Sequence, residues 1–429
     1  MIRNKCFVLR INGDSLLAFS AYLSVFYFCL PIAMITLNSL LIRLIIVLTV
    51  FCYLMGLILK QRWKWLGAFC ILFALAFLYW CVTWYSRMDS FVYPYYCFAS
   101  LSFVFSGLYF GSTKNEKMIK RLFFFMTLVY FVTALTSIVG LSMYPMASRE
   151  MARATAYEAG QDLNANRTVY RKLNIANWSQ IYGMIFSIPV FMMIWKKTGK
   201  KRYLFMAAAI LLVTITSQIT FATLLAIGMI FSLFLNRAKS AKQLILLGLL
   251  FIVSIVVIVK IDFFLTLAVE FFDGIGLTFL HSKLNDLRIL LTTGKSVGDA
   301  ESRSTLYLRS FSTFAESPLF GVLLRRGEIN DRIIGYHSEF FDLLASFGII
   351  GVVLIGAFMI LYYRLIRRIK EKVLVVIYFG FLALFVFNPV LNSPQVFIGA
   401  FLYPMIALKY CQYAEKGIVR IPIKKYIKV

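Results

Sequence analysis

Apolar runs of roughly 17–22 residues recur along the chain, divided by short polar breaks, and each is long enough to cross about 30 Å of hydrocarbon as a helix. Their bounds predict helices at 15–35, 41–59, 66–84, 92–110, 122–142, 176–195, 203–218, 220–235, 243–261, 347–365, 372–388 and 393–411. The seventh and eighth are short and meet at Ser217 to Thr220, so they read as a tilted or broken pair. The first run follows a basic start (Arg3, Lys5, Arg10) and has no small-residue cleavage pattern near its end, which makes it a retained first helix. The expected fold class is an all-α polytopic membrane protein of about 12 transmembrane helices. It is one integral membrane domain over residues 1–429, with a first outer loop at 143–175. A large outer loop with surface helices, at 262–346, separates helices 9 and 10.

Composition agrees: 61% of residues are hydrophobic and the mean hydropathy is +0.81, beyond the soluble range. The net charge of +26 would suit nucleic acid, but its distribution does not. KQRWK (60–64), KNEKMIKR (114–121), KKTGKKR (196–202), NRAKSAK (236–242), RLIRRIKEK (364–372) and the basic tail all fall on the side of the N-terminus. That is the positive-inside pattern of a bacterial cytoplasmic (inner) membrane protein with both termini cytoplasmic. A basic face of this kind also suits anionic membrane lipids. None of the seven cysteines lies in the long polar segment and there is no CxxC, so neither a disulfide framework nor a zinc site is implied. GxxxxGK[ST], GxGxxG before a strand, HExxH and paired histidine ligands are absent too, which leaves nucleotide-driven transport and zinc chemistry unsupported.

Candidate chemistry lies in the outer loops. The stretch Glu301 to Glu316 predicts a surface helix, capped by Asp299 or Ser302 and ended by Pro318. Leu308, Phe311 and Ala315 share one face of it; Arg303, Tyr307 and Ser310 share another. A second, shorter interfacial helix is expected over Lys283 to Leu291. His337 precedes the tenth helix, and histidine is the side chain suited to moving a proton near neutral pH. The bland alternative is an interfacial histidine. Glu339 and Asp342, three residues apart, share a helix face at the membrane boundary, where a carboxylate is either a base for an acceptor hydroxyl or a solvated helix start. Arg303, Arg309, Arg325, Arg326 and Arg332 lie outside, where the positive-inside rule does not explain them. Guanidinium forks clamp phosphate, although salt bridges to the acids of the same loop compete with that reading. Arg149, Arg153, Arg167, Arg171 and Lys172 of the first outer loop offer a second basic face. Gly348, Gly351 and Gly356 fit close helix packing.

Three strings in this region, R-x-x-L-Y at Arg303 to Tyr307, S-P-L-F-G at Ser317 to Gly321 and Y-H-S-E-F-F-D-L-L-A-S-F-G-I-I-G at Tyr336 to Gly351, together resemble the bacterial O-antigen polymerase and O-antigen ligase superfamily. The detailed likeness covers about 50 residues, and the helix count and single large outer loop extend it to the whole chain. The resemblance implies an inverting glycosyl transfer from an undecaprenyl-pyrophosphate-linked oligosaccharide at the outer face of the membrane. On it, His337 and Arg303 stand at family functional positions; taken with the residues read above, His337, Glu339 and Arg303 are the catalytic candidates, and Arg153, Arg167, Arg171, Tyr307, Arg309, Arg325, Arg326 and Asp342 the substrate-binding ones. No metal or cofactor is expected, since the short outer connection between the first two helices, near Thr36 to Ser39, has no Asp or Glu, where metal-associated lipid-dependent glycosyltransferases place an acidic motif. The family often carries a T-x-S-R-like motif at the eighth helix, where Gln218 stands here. Either the alignment slips or Arg153, Arg167 or Arg171 takes that role.

The favoured expectation is a polymerase of lipid-linked repeat units in O-antigen, capsular or exopolysaccharide biosynthesis. It would work with membrane lipids, a chain-length regulator and a flippase as companions, and without nucleic acid. A ligase transferring polymer to the lipid A core is the near alternative. A lipid-linked oligosaccharide flippase is the alternative of another class, disfavoured by helices almost free of internal charge and by the lack of repeated halves.

Overall fold

A computed structural model describes residues 12–34, 39–62, 92–151, 163–235, 261–277, 281–282, 284–286, 288–289, 299–322, 334–335 and 337–414. The expected helices at 66–84 and 243–261 fall outside these residues, apart from position 261. Among the described residues the chain is helical with no strand. The elements are α1 (Gly13–Cys29), α2 (Ser39–Leu59), α3 (Val92–Ser112), α4 (Glu116–Met143) and α5 (Leu163–Lys172). They continue with α6 (Trp178–Thr198), α7 (Lys201–Thr216), α8 (Thr220–Leu235), α9 (Ile261–Gly274), α10 (Asp299–Glu316), α11 (Glu339–Ile369), α12 (Lys372–Phe387) and α13, which runs from Pro394 to Ala414 through a π-turn at Ile398–Leu402.

Local sequence sets the helix ends. Asn115 caps α4 by accepting the Met118 N–H at 3.1 Å, so that helix begins six residues before its apolar run. Asn177 and Gln180 form a capping box at the start of α6. Gly199, with φ +69°, ends it. The break between α7 and α8 falls where the sequence places it, with buried Gln218 in the left-handed region at φ +55°.

Among the described residues two helices, α4 and α6, are long and apolar enough to cross a membrane, and a third joins them if the bent pair Glu339–Val353 and Ile355–Ile369 is one span. At 28 residues α4 is about 42 Å long at 1.5 Å per residue, more than the hydrocarbon thickness. The outer surface is as informative as the interior. Leu128, Val139, Met143, Phe205, Leu224, Leu361 and Val353 are all exposed, an apolar coat far beyond what water tolerates. Helices that are apolar both inside and outside belong in lipid.

The core forms around α13. Phe123 of α4 stacks on Tyr410 at 4.1 Å and on Tyr403 at 6.0 Å, and the Tyr403 hydroxyl meets Thr127 Oγ1 at 2.9 Å, which satisfies its one polar atom. On the other side α13 touches α6 so closely that a Cβ at Gly399 would lie 2.0 Å from the Gly183 carbonyl oxygen. The Lys197–Glu371 ion pair at 2.8 Å joins the end of α6 to the start of α12 at the basic end of the bundle. The α7–α8 break, the start of α11 and the end of α12 therefore lie together at the opposite end.

One junction was not foreseen as such. The turn at 317–322 splices into α11: Val322 N donates to Ala345 O at 2.9 Å, Ile349 N to Pro318 O at 2.8 Å and Ile350 N to Leu319 O at 3.4 Å. The helix opens at Gly348 (φ +61°, ψ −161°) to accept it. The S-P-L-F-G and F-G-I-I-G strings are thus two halves of one backbone joint. Because Ser338 caps α11 through the Phe341 N–H at 3.2 Å, this helix starts at Glu339, eight residues before the apolar run that predicts it.

Candidate functional site

At the N-terminal end of α11 the backbone turns from Ile334 into the helix under the side of α10 that carries Tyr307 and Ser310. Ser310, fully buried, donates from Oγ to Asp342 Oδ1 at 2.7 Å and accepts the Gly335 N–H at 2.9 Å. The second oxygen, Asp342 Oδ2, receives the Ser338 N–H at 3.2 Å. Asp342 therefore fixes both the start of α11 and, through Ser310, the position of Gly335.

The Gly335 carbonyl in turn lies 3.0 Å from His337 Nδ1. A carbonyl oxygen only accepts, so Nδ1 carries the proton of that bond. In the neutral ring the lone pair is then on Nε2. His337 is exposed, so this tautomer presents a base at the mouth of the site, held by a backbone contact that Asp342 and Ser310 position.

Glu339 is placed differently. It is 2% exposed, and its Oε2 accepts the backbone N–H groups of Val390 and Leu391 at 2.7 and 2.9 Å. It clamps the α12–α13 loop to the start of α11, and its own N–H reaches Asn388 O at 3.3 Å. Buried donors left without an acceptor cost about 1–3 kcal/mol each, so this carboxylate is a substantial tie. Ser338 Oγ adds another by donating to Val386 O.

Tyr307 stacks on Phe341 at 5.6 Å and donates from its hydroxyl to Phe387 O at 3.3 Å, which brings α10 against the end of α12. Arg309 is part-buried one position before Ser310. Position 303 lies in α10, one and two helical turns before Tyr307 and Ser310, on the side that periodicity assigns to them. Arg153, Arg325 and Arg326 lie outside the described residues. Arg167 and Arg171 are on α5, where Arg171 Nη1 reaches Met34 O at 3.5 Å, next to the end of α1 rather than at the α11 mouth.

The arginine that reaches Gln218 is Arg149: its Nη1 lies 3.5 Å from the Gln218 carbonyl oxygen. The sequence reading included Arg149 in the first basic face but not among the residues that stand in for an arginine at 218. Thr220, the first residue of α8, has a buried hydroxyl without a hydrogen-bond partner. From there a continuous set of contacts leads to the histidine. Phe221 packs on Phe387 at 5.4 Å, Asn388 follows, and its carbonyl meets Glu339, two residues from His337. One end of the bundle thus holds a cation beside a helix N-terminus and, across an aromatic pair, an exposed imidazole. Among the described residues no cluster of His, Cys, Asp or Glu is set to hold a metal ion.

Comparison with known proteins supplies no relative: no protein-family model, no curated protein and no solved structure matches this chain.

Proposed function

We propose that the chain is a membrane glycosyltransferase that polymerises undecaprenyl-pyrophosphate-linked oligosaccharide repeat units at the outer face of a bacterial cytoplasmic membrane, with about 12 transmembrane helices and both termini inside. The observation that carries this reading is that one end of the bundle holds both an exposed His337, its Nδ1 3.0 Å from the Gly335 carbonyl, and Arg149, which reaches the Gln218 carbonyl just before α8. A lipid-pyrophosphate donor needs its leaving group's charge met at the membrane boundary. The N–H groups of the first turn of α8 and its positive dipole end, the Thr220 hydroxyl and the Arg149 guanidinium are suited to that task. The incoming unit needs a base for its hydroxyl, and His337 Nε2 is suited to take that proton as the new glycosidic bond forms and the bond to pyrophosphate breaks. Glu339 and Asp342 hold this geometry and Tyr307 flanks it on α10; Arg303 enters the reading through the likeness of the 303–307 string alone. The string likeness at 303–321 and 336–351 supports the same reading from the sequence side.

Arg149→Ala is the test of the donor half. Polymer on a glycan gel is expected to fall about tenfold to a hundredfold, with Arg149→Lys restoring part of it because a point charge replaces a bidentate fork. Undiminished polymer in Arg149→Ala would remove Arg149 from the site.

A further inference from the structure

Asn388 terminates α12 with an extended backbone (φ −148°, ψ 152°), at the corner where α12, the start of α11 and Tyr307 meet. Its backbone is fully engaged: the N–H donates to Leu384 O at 2.8 Å and the carbonyl accepts from Glu339 at 3.3 Å. Its side chain is not. The residue is 8% exposed, and Nδ2 is buried with no hydrogen-bond partner. A buried donor left unmade is an expense that native cores avoid, and where one persists beside an apolar alternative it calls for an acceptor that arrives from elsewhere. Leucine has the same branched skeleton of side-chain heavy atoms as asparagine, with bulkier methyl ends, and carries no donor to leave unmade.

We infer that the Asn388 side-chain amide is a saccharide-binding group, donating a hydrogen bond to a hydroxyl or ring oxygen of the sugar that enters beside His337. This rests on the reading of the site given above and adds the residue that recognises the sugar. Tyr307 lies at this corner. Tyr307 is only part-buried, and its hydroxyl is tethered to the neighbouring Phe387 carbonyl at 3.3 Å, the long end of the hydrogen-bond range. The inference requires that ring to swing off Phe387 to admit a ligand oxygen, a movement that breaks none of the Glu339 contacts to Val390 and Leu391.

The test uses the full chain with Asn388→Leu, and Asn388→Ala as a variant that adds no bulk. Each is purified for thermal unfolding and separately expressed in the deletion strain for glycan gels, next to His337→Ala. The inference predicts a thermal midpoint at or above wild type, because the replaced amide has no partner in the resting protein, together with about a tenfold loss of polymer from one missing substrate hydrogen bond. A clearly lowered midpoint in both variants would mean that the amide has a partner within the folded protein, and would overturn the inference. Wild-type polymer in both Asn388 variants, with polymer lost in His337→Ala, would overturn it and leave the function standing. Wild-type polymer in all three would overturn it together with the role given to His337.

Discussion

His337→Ala is expected to reduce polymer formation about 100-fold to 10,000-fold, the range for removing a positioned general base, while the protein remains folded. The side chain is exposed and its contact is a single bond to the Gly335 carbonyl, so its loss does not disturb the Asp342–Ser310–Gly335 chain or the Glu339 clamp. The measurement is the length and amount of surface glycan in a deletion strain carrying the variant, with membrane levels of the protein matched. Polymer within a few-fold of wild type would show that His337 moves no proton in the reaction.

Gly348→Ala is expected to have the largest effect on folding. The Gly348 backbone lies in a region essentially closed to L-residues, which alone costs about 1–3 kcal/mol. An added Cβ would also lie 2.4 Å from the Leu319 carbonyl carbon and oxygen and 2.6 Å from Phe320 N. Those atoms are backbone of the inserted turn, tied to α11 by the Ile349 and Ile350 N–H bonds, so they have no flexible end to give way. The expected outcome is little monodisperse protein after detergent extraction. Gly356→Ala, on the same helix with open space around it, serves as the comparison and is expected to fold as wild type or slightly better, by about 1 kcal/mol of helix propensity. Equal yields of the two variants would mean that the splice does not hold α10 to α11.

The helical class and most of the described helix positions were legible because an apolar run is a local signal, and two or three of those helices are long and apolar enough to cross a membrane. The α7–α8 break and the α10 helix were read from equally local cues, the Ser217–Thr220 junction and Pro318. The start of α11 was not, because residues 338–346 mix polar and apolar positions and their helicity depends on the Ser338 cap and on Ser310 across the α10 contact. Glu339 and Asp342, three residues apart, were read as sharing one face, yet one serves the α12–α13 loop and the other α10. Arg149 was overlooked for a comparable reason: it is 69 residues from Gln218, and only the folded path of the first outer loop brings it there. Asn388 ends an apolar helix and looks like an ordinary cap; its unmade hydrogen bond is a property of packing that no sequence pattern carries.

The most direct test of the central claim is the glycan profile of a strain lacking this chain, with lipid-linked and surface glycans separated by gel. The polymerase reading predicts surface glycan reduced to a core bearing a single repeat unit, with the ladder restored by the wild-type chain. A bare core, with long polymer stranded on undecaprenyl pyrophosphate, would contradict it and make the chain a ligase.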